Sequence, residues 1–62
     1  MNKLLSIREL KGLSQQELAD KSGVDISLIR DTEDGKIEFG VIPITEGLRL
    51  GKALGVTVEE ML

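Results

Sequence analysis

Cysteine, histidine, tryptophan and tyrosine are all absent from this chain of 62 residues, and Phe39 is its one aromatic residue. Without cysteine there is no disulfide framework, and without cysteine and histidine the usual zinc sites are excluded. The nucleophile–base pairs that most often carry covalent catalysis are missing as well. We therefore expect a protein that is not an enzyme and that uses neither a metal ion nor a cofactor.

Long apolar runs are also missing, since none approaches the roughly 18 residues that a membrane-spanning helix requires. The N-terminus lacks the apolar core of a secretory signal. These absences predict a cytoplasmic protein with no membrane contact. The chain is long enough for one domain only, so we expect residues 1–62 to form a single domain.

Positive charge is scarce, with eight basic residues against eleven acidic ones and a net charge of −3. This balance weighs against nucleic-acid binding, which usually requires a basic face. The charge is unevenly distributed, however. Residues 1–13 carry three basic groups and one acidic group, whereas residues 14–36 carry three basic and six acidic groups.

The positions of helix-capping residues divide the chain into five helices over about residues 2–11, 15–22, 26–34, 45–54 and 58–62. Glycines that favour helix C-termini follow the first four of them, at Gly12, Gly23, Gly35 and Gly55. Residues that favour N-caps precede the last four, at Ser14, Asp25, Thr45 and Thr57. Ser14 and Glu17 also have the spacing of a capping box.

Apolar residues recur with the helical period and predict the core. The predicted inward residues are Leu4, Ile7, either Leu10 or Lys11, Leu18, Ala19, Ile29, Leu48, Leu50 and Leu54. Residues 36–44 are apolar and rich in β-formers, and Pro43 interrupts any helix there. We expect an ordered loop on the core or on a partner, with a short strand at 37–42 as an open alternative.

Residues 13–24 predict two short helices that meet at a glycine turn, which exposes the second helix as a ridge for a major groove. The chain resembles the phage-repressor family of helix-turn-helix proteins (Cro/C1 type, or XRE family) over nearly its whole length. The resemblance rests on Gly12-Leu13-Ser14-Gln15, Glu17-Leu18-Ala19, Gly23-Val24, Glu33, Gly35-Lys36 and Ala53-Leu54-Gly55-Val56-Thr57. It implies an all-α, compact five-helix lambda-repressor-like domain, with helices 2 and 3 as the helix-turn-helix and a long loop before helix 4.

The resemblance also implies a DNA-binding surface, formed by Gln15, Gln16, Ile26, Ser27, Arg30, Asp31 and Lys36. Gln15 corresponds to a phosphate contact, and Gln16 is a weaker candidate from the same turn. Ser27 fits a base or phosphate contact, Ile26 a thymine methyl group, and Asp31 a cytosine amino group. Arg30 reaches phosphate or guanine, or else pairs with Asp34 within the helix.

Several positions have a structural interpretation beside the functional one. By resemblance, Arg8 and Glu33 form an ion pair between helices 1 and 3, which we favour over a phosphate contact by Arg8. Thr32 replaces a large apolar core residue, so Ile37, Phe39, Val41 or Ile42 must fill the space. Gly47 and Gly51 indicate close packing, within the monomer in preference to between subunits.

We therefore predict a transcriptional repressor that binds double-stranded DNA as a homodimer. In this family the dimer contacts often involve the loop before helix 4 and the last helix, and the apolar residues there are Phe39, Val41, Ile42, Val58, Met61 and Leu62. The alternative is a protein-interaction module that has weak or lost DNA binding, which the acidic segment 14–36 favours. A metal cluster of Asp31, Glu33 and Asp34 is disfavoured, because neighbouring helical residues point in different directions.

Overall fold

The computed structural model describes residues 3–62, and every regular element in that range is helical. The helices are α1 (Lys3–Leu10), α2 (Gln15–Ser22), α3 (Ile26–Glu33), α4 (Ile44–Leu54) and α5 (Val58–Met61). A 3-10 turn, Phe39–Val41, lies in the connection between α3 and α4. The predicted all-α, five-helix class is confirmed for the described range, and the predicted start of the first helix at Asn2 lies outside it.

The helix ends follow from local side chains. The Ser14 hydroxyl accepts a hydrogen bond from the Glu17 N–H at 3.0 Å, and the Ser14 N–H donates to Glu17 Oε1 at 2.8 Å. The side chains of Asp25 and Thr57 likewise accept hydrogen bonds from backbone N–H groups at the starts of α3 and α5. The prediction that Thr45 caps α4 was wrong. The helix begins at Ile44 after Pro43, whose fixed backbone leads into the helix without a side-chain cap.

Within residues 3–62, nine buried apolar side chains form one core between the helices: Leu4, Leu18, Ala19, Val24, Ile29, Ile42, Leu50, Leu54 and Met61. Two predicted core positions were wrong. Leu10 is 83% exposed and Lys11 is exposed too, because α1 ends at Leu10 and its inward side carries Leu4, Ile7 and Arg8 instead. Leu48 is 58% exposed, because the inward stripe of α4 is formed by Gly47, Leu50, Gly51 and Leu54.

The connection between α3 and α4 is an ordered loop, and the alternative of a strand at 37–42 was wrong. The Val41 N–H donates to the Glu38 carbonyl at 3.0 Å, which closes the 3-10 turn. Ile37 and Phe39 pack against the core and Ile42 lies within it, whereas Val41 is 72% exposed and fills no space there. Thr32 is fully buried, and its hydroxyl donates to the Leu28 carbonyl at 2.7 Å.

Gly51 allows the closest approach between α4 and the turn before α5. A Cβ atom at this position would lie 2.7 Å from the Val56 carbonyl oxygen, which belongs to the backbone of that turn. The Val56 N–H donates in return to the Gly51 carbonyl at 2.9 Å. A Cβ at Gly47 would meet Phe39 Cζ at 3.4 Å, an ordinary contact. Both glycines therefore pack within the monomer.

The two glycines of α4 make opposite predictions for replacement by alanine. Alanine gains about 1 kcal/mol over glycine inside a helix. Gly51→Ala must also displace the Val56 backbone, and overpacking of this kind costs about 1–3 kcal/mol. We expect Gly51→Ala to lower the free energy of unfolding and Gly47→Ala to leave it equal or higher, as measured by urea denaturation. Equal effects of the two substitutions would contradict this packing.

Candidate nucleic-acid interface

Arg8 of α1 and Glu33 of α3 form a buried ion pair that connects α1 to the helix-turn-helix. Arg8 Nε donates to Glu33 Oε2 at 2.7 Å and Arg8 Nη2 donates to Glu33 Oε1 at 2.9 Å. Arg8 Nη1 donates to the Leu13 carbonyl at 2.7 Å. The side chains are 11% and 3% exposed, respectively. This bidentate geometry is the ion pair that the family resemblance implied for Arg8 and Glu33.

The ion pair changes the titration of both partners. Burial raises the pKa of Glu33, but the hydrogen bonds from Arg8 and Gln15 and the charge of Arg8 outweigh it, so the pKa lies below its ordinary value. The hydrogen bond to Glu33 raises the pKa of Arg8, although burial opposes this. Both groups are therefore charged at neutral pH, and each compensates the other.

Gln15, the first residue of α2, joins this pair. Its Nε2 donates to Glu33 Oε1 at 2.9 Å, and the residue is half-buried. One amide N–H is thus engaged, which leaves the second N–H and the carbonyl oxygen of the side chain for a ligand. The bond also restricts the orientation of the amide at the start of α2. Sequence patterns did not predict this contact, which joins residues 18 positions apart.

The backbone N–H groups in the first turn of α2 have no carbonyl acceptor within the helix. The Ser14 hydroxyl accepts one of them, that of Glu17. Gln16 is exposed, and its Nε2 donates to Asp20 Oδ1 at 2.9 Å, one turn further along α2. The end of α2 that carries Gln15 and Gln16 therefore has the chemistry of an anion site.

On α3, Ser27 and Arg30 are exposed, and Asp25 fixes the start of the helix by accepting the Ser27 N–H at 2.7 Å. Within residues 3–62 the Arg30 side chain forms no ion pair with Asp34, so the intrahelical alternative is not supported. Ile26 is half-buried and packs partly against the core. Only part of its side chain is thus accessible to a ligand.

Asp31 and Lys36 lie at the other end of α3. The Lys36 N–H donates to the Asp31 carbonyl at 2.9 Å, and the Gly35 N–H donates to the Thr32 carbonyl at 3.2 Å, with Gly35 at a φ of 81°. This arrangement is a Schellman motif, which needs a residue that tolerates a positive φ. It holds Lys36 exposed beside the helix end, while Asp31 is half-buried.

Acidic groups surround the basic ones on this surface. Asp20 and Asp25 line a shallow concave surface at the turn between α2 and α3, together with Gln16 and Ile26. Asp34 is exposed at the end of α3. The local field thus opposes the approach of phosphate, and any binding relies on Arg30, Lys36 and the helix ends.

The residues predicted for a dimer interface divide into two groups. Ile42 and Met61 are 8% and 2% exposed and belong to the core, so their assignment to an accessible interface was wrong. Val41 and Leu62 are exposed, and Phe39 and Val58 are half-buried at the surface. The sequence-based prediction also missed Ile44, which is 65% exposed. Its exposure follows from its place at the first position of α4.

Asp31, Glu33 and Asp34 lie in the last turn of α3 and at its C-cap. Within residues 3–62 no group of three or more carboxylate ligands has the geometry to hold a metal ion. The carboxylate of Glu33 is engaged by Arg8 and Gln15. In the same range no helix is long and apolar enough to cross a membrane.

A family model described as helix-turn-helix matches residues 4–61, which is almost the entire chain. No curated protein and no solved structure matches the chain.

Glu33→Gln tests the ion pair, because it removes the charge and nearly retains the shape. Arg8 then remains buried without a counter-charge, a loss that costs about 3–5 kcal/mol. We expect a decrease of this size in the free energy of unfolding at pH 7. Because the pKa of Glu33 is lowered in the folded state, its contribution is complete above about pH 4.5 and is lost at lower pH, as the carboxylate becomes protonated.

The difference between the wild type and Glu33→Gln should therefore shrink as the pH falls below about 4.5. Asp34→Asn is the matched control, since Asp34 is the neighbouring acidic residue and is exposed. This substitution should change the free energy of unfolding by less than about 0.5 kcal/mol. A difference that stays constant between pH 7 and pH 3 in urea denaturation would contradict the account.

Proposed function

Because the chain belongs to the Cro/C1-type (XRE) helix-turn-helix family of DNA-binding regulators, we propose that it represses transcription by binding a specific operator as a dimer. The observation that carries the proposal is the exposed face of α3, where Ser27 and Arg30 are accessible beside the first turn of α2. A ridge of this kind enters a major groove, while the preceding helix contacts the backbone.

The proposed contacts differ in the part of the DNA that each side chain binds. Gln15, Gln16 and Lys36 contact phosphates, and the N–H groups at the start of α2 assist them. Ser27 and Arg30 reach base edges or phosphates, and Arg30 has the fork geometry for guanine. The exposed part of Ile26 packs on a thymine methyl group, and Asp31 accepts from a cytosine amino group. Arg30 makes the largest contribution, because it is the only cation within α3.

The affinity of one subunit is modest, because acidic groups accompany the cations on this surface. A second subunit bound to a neighbouring half-site raises the affinity without any new contact by the first. Two-fold symmetry of the dimer then requires a two-fold symmetric operator.

The dimer forms through an apolar surface, which we define as Phe39, Val41, Ile44, Leu48, Val58 and Leu62. Ile44 and Leu62 line one groove with Phe39 and Val58. Leu48 follows Ile44 by one helical turn, so both lie on the same side of α4. Val41, Ile44, Leu48 and Leu62 are each more than half exposed. Contiguous exposed apolar residues on a small protein mark an interface, and a second copy presents the complementary patch.

The acidic surroundings of α3 favour a second candidate function, a protein-interaction module with little DNA affinity. Asp20 and Asp25 line the concave surface at the turn, and Ile26 contributes an apolar group to it. A partner with a basic segment suits that surface. The two functions differ in whether the isolated chain binds DNA.

DNA binding is tested by fluorescence anisotropy with a labelled duplex of random sequence. We expect binding at about 20 mM salt that weakens steadily as salt rises, because each neutralised phosphate releases counterions. Arg30→Ala should weaken it about tenfold, because one phosphate contact is lost. Arg49→Ala, which removes an exposed arginine on α4, is the matched control and should have a smaller effect.

The absence of binding at about 20 mM salt would contradict the DNA-binding proposal for the isolated chain and favour the interaction module. Equal losses for Arg30→Ala and Arg49→Ala would show that α3 does not read DNA and that only the overall charge matters.

Dimer formation is tested by sedimentation equilibrium over a wide range of protein concentration. We expect the wild type to approach the mass of two chains as its concentration rises. The double substitution Ile44→Glu/Leu48→Glu should shift the equilibrium to the monomer, because it places charges in an apolar contact. Leu10→Glu replaces an even more exposed leucine outside the surface and should retain the dimer. A wild type that is monomeric at every concentration would refute the proposal.

A further inference from the structure

A further depression lies between the C-terminal ends of α1, α2 and α4, away from the start of α2. It is lined by Lys11 after α1, Lys21 in the last turn of α2, and Lys52 in the last turn of α4. Between the lysines its floor is formed by Leu13, Ala53 and Leu54. Sequence patterns did not single out these lysines, since they are separated along the chain and only the fold brings them together.

The depression is positively charged in a chain of net charge −3. Three of the eight basic residues converge on it, and within residues 3–62 no acidic side chain lines it. All three lysines are exposed, and none forms an ion pair or a side-chain hydrogen bond within that range. Their charges are therefore available to a ligand.

The helix ends explain how three like charges can stay close together. Carbonyl groups at a helix C-terminus carry partial negative charge, which stabilises a nearby cation. Lys21 and Lys52 lie in the last turns of their helices, and Lys11 directly follows α1. The dipoles offset part of the mutual repulsion without engaging the ammonium groups in ion pairs.

We propose that this depression binds an acidic segment of a partner protein, in which carboxylates flank an apolar side chain. The ammonium groups pair with the carboxylates, and the apolar floor takes up the side chain between them. A free phosphate has no apolar group that could pack against that floor. The phosphates of a DNA duplex could pair with the lysines, but they would leave the apolar floor unused.

The site is independent of the proposed DNA contacts. Lys21 and Gln15 lie in the last and first turns of α2, so they are at opposite ends of that helix. The proposed site shares no residue with the proposed DNA contacts, so substitutions can impair the two functions separately.

The test is fluorescence anisotropy with a labelled peptide in which two glutamates stand on each side of a leucine. At about 20 mM salt, where screening is weak, we expect the wild type to bind the peptide. The triple variant K11Q/K21Q/K52Q should weaken binding about tenfold. K11R/K21R/K52R keeps the charges and should retain binding. Far-ultraviolet circular dichroism verifies that each variant remains helical.

The charge-matched control is K3Q/K36Q/R49Q, which removes three cations elsewhere and should change peptide affinity by no more than about threefold. A peptide with serine in place of the leucine should bind several-fold more weakly. The proposal is overturned if the wild type does not bind the peptide, if both triple glutamine variants lose affinity equally, or if the serine peptide binds as well. It is also overturned if K11Q/K21Q/K52Q abolishes binding to the random duplex and leaves peptide binding unchanged, since the depression would then serve DNA.

Discussion

The buried Arg8–Glu33 pair links α1 to both helices of the candidate DNA-binding surface. It connects α1 to the end of α3, and Arg8 also holds the Leu13 carbonyl just before α2 begins. Glu33 in turn holds the side chain of Gln15 at the first position of α2. Ionised groups that leave water are costly unless each polar atom has a partner. Among the described residues no buried side-chain nitrogen or oxygen lacks one. The pair therefore fixes the relative positions of α1, α2 and α3 by its directional bonds, in addition to the non-directional packing of the core.

The second constraint is the close contact at Gly51, which places α5 against α4. A chain this small buries a limited apolar area, so stability depends on contacts without gaps. Because glycine has no Cβ, the Val56 carbonyl can lie against α4 and Met61 can enter the core. With the inward stripe of α4 directed to this contact, Ile44 and Leu48 are left on the outside. The packing that completes the monomer thus also creates the apolar surface that we assign to the dimer.

Local signals were sufficient to predict most of the fold. Ser14 with Glu17, Asp25 and Gly23 each act through atoms within a few residues, so their effects can be read from the sequence. The errors arose where tertiary packing decides. Leu48 and Leu50 are equally apolar, and only the packing of α4 against the other helices decides that Leu50 faces inward. The burial of Ile42 and the bond between Gln15 and Glu33 depend on elements that are distant in sequence. The converging lysines are a result of the same kind, since three helix ends must meet before their charges combine.

The proposed DNA-binding surface consists of the first turn of α2 and the exposed face of α3, despite the acidic residues around them. The most direct test is a two-dimensional ¹H–¹⁵N NMR titration of the labelled protein with duplex DNA at low salt. We expect the backbone amide signals of residues 15–16 and 26–30 to shift first and furthest, while those around Lys11, Lys21 and Lys52 stay nearly unchanged. Shifts concentrated at the lysine end, or spread evenly over the molecule, would contradict this proposal.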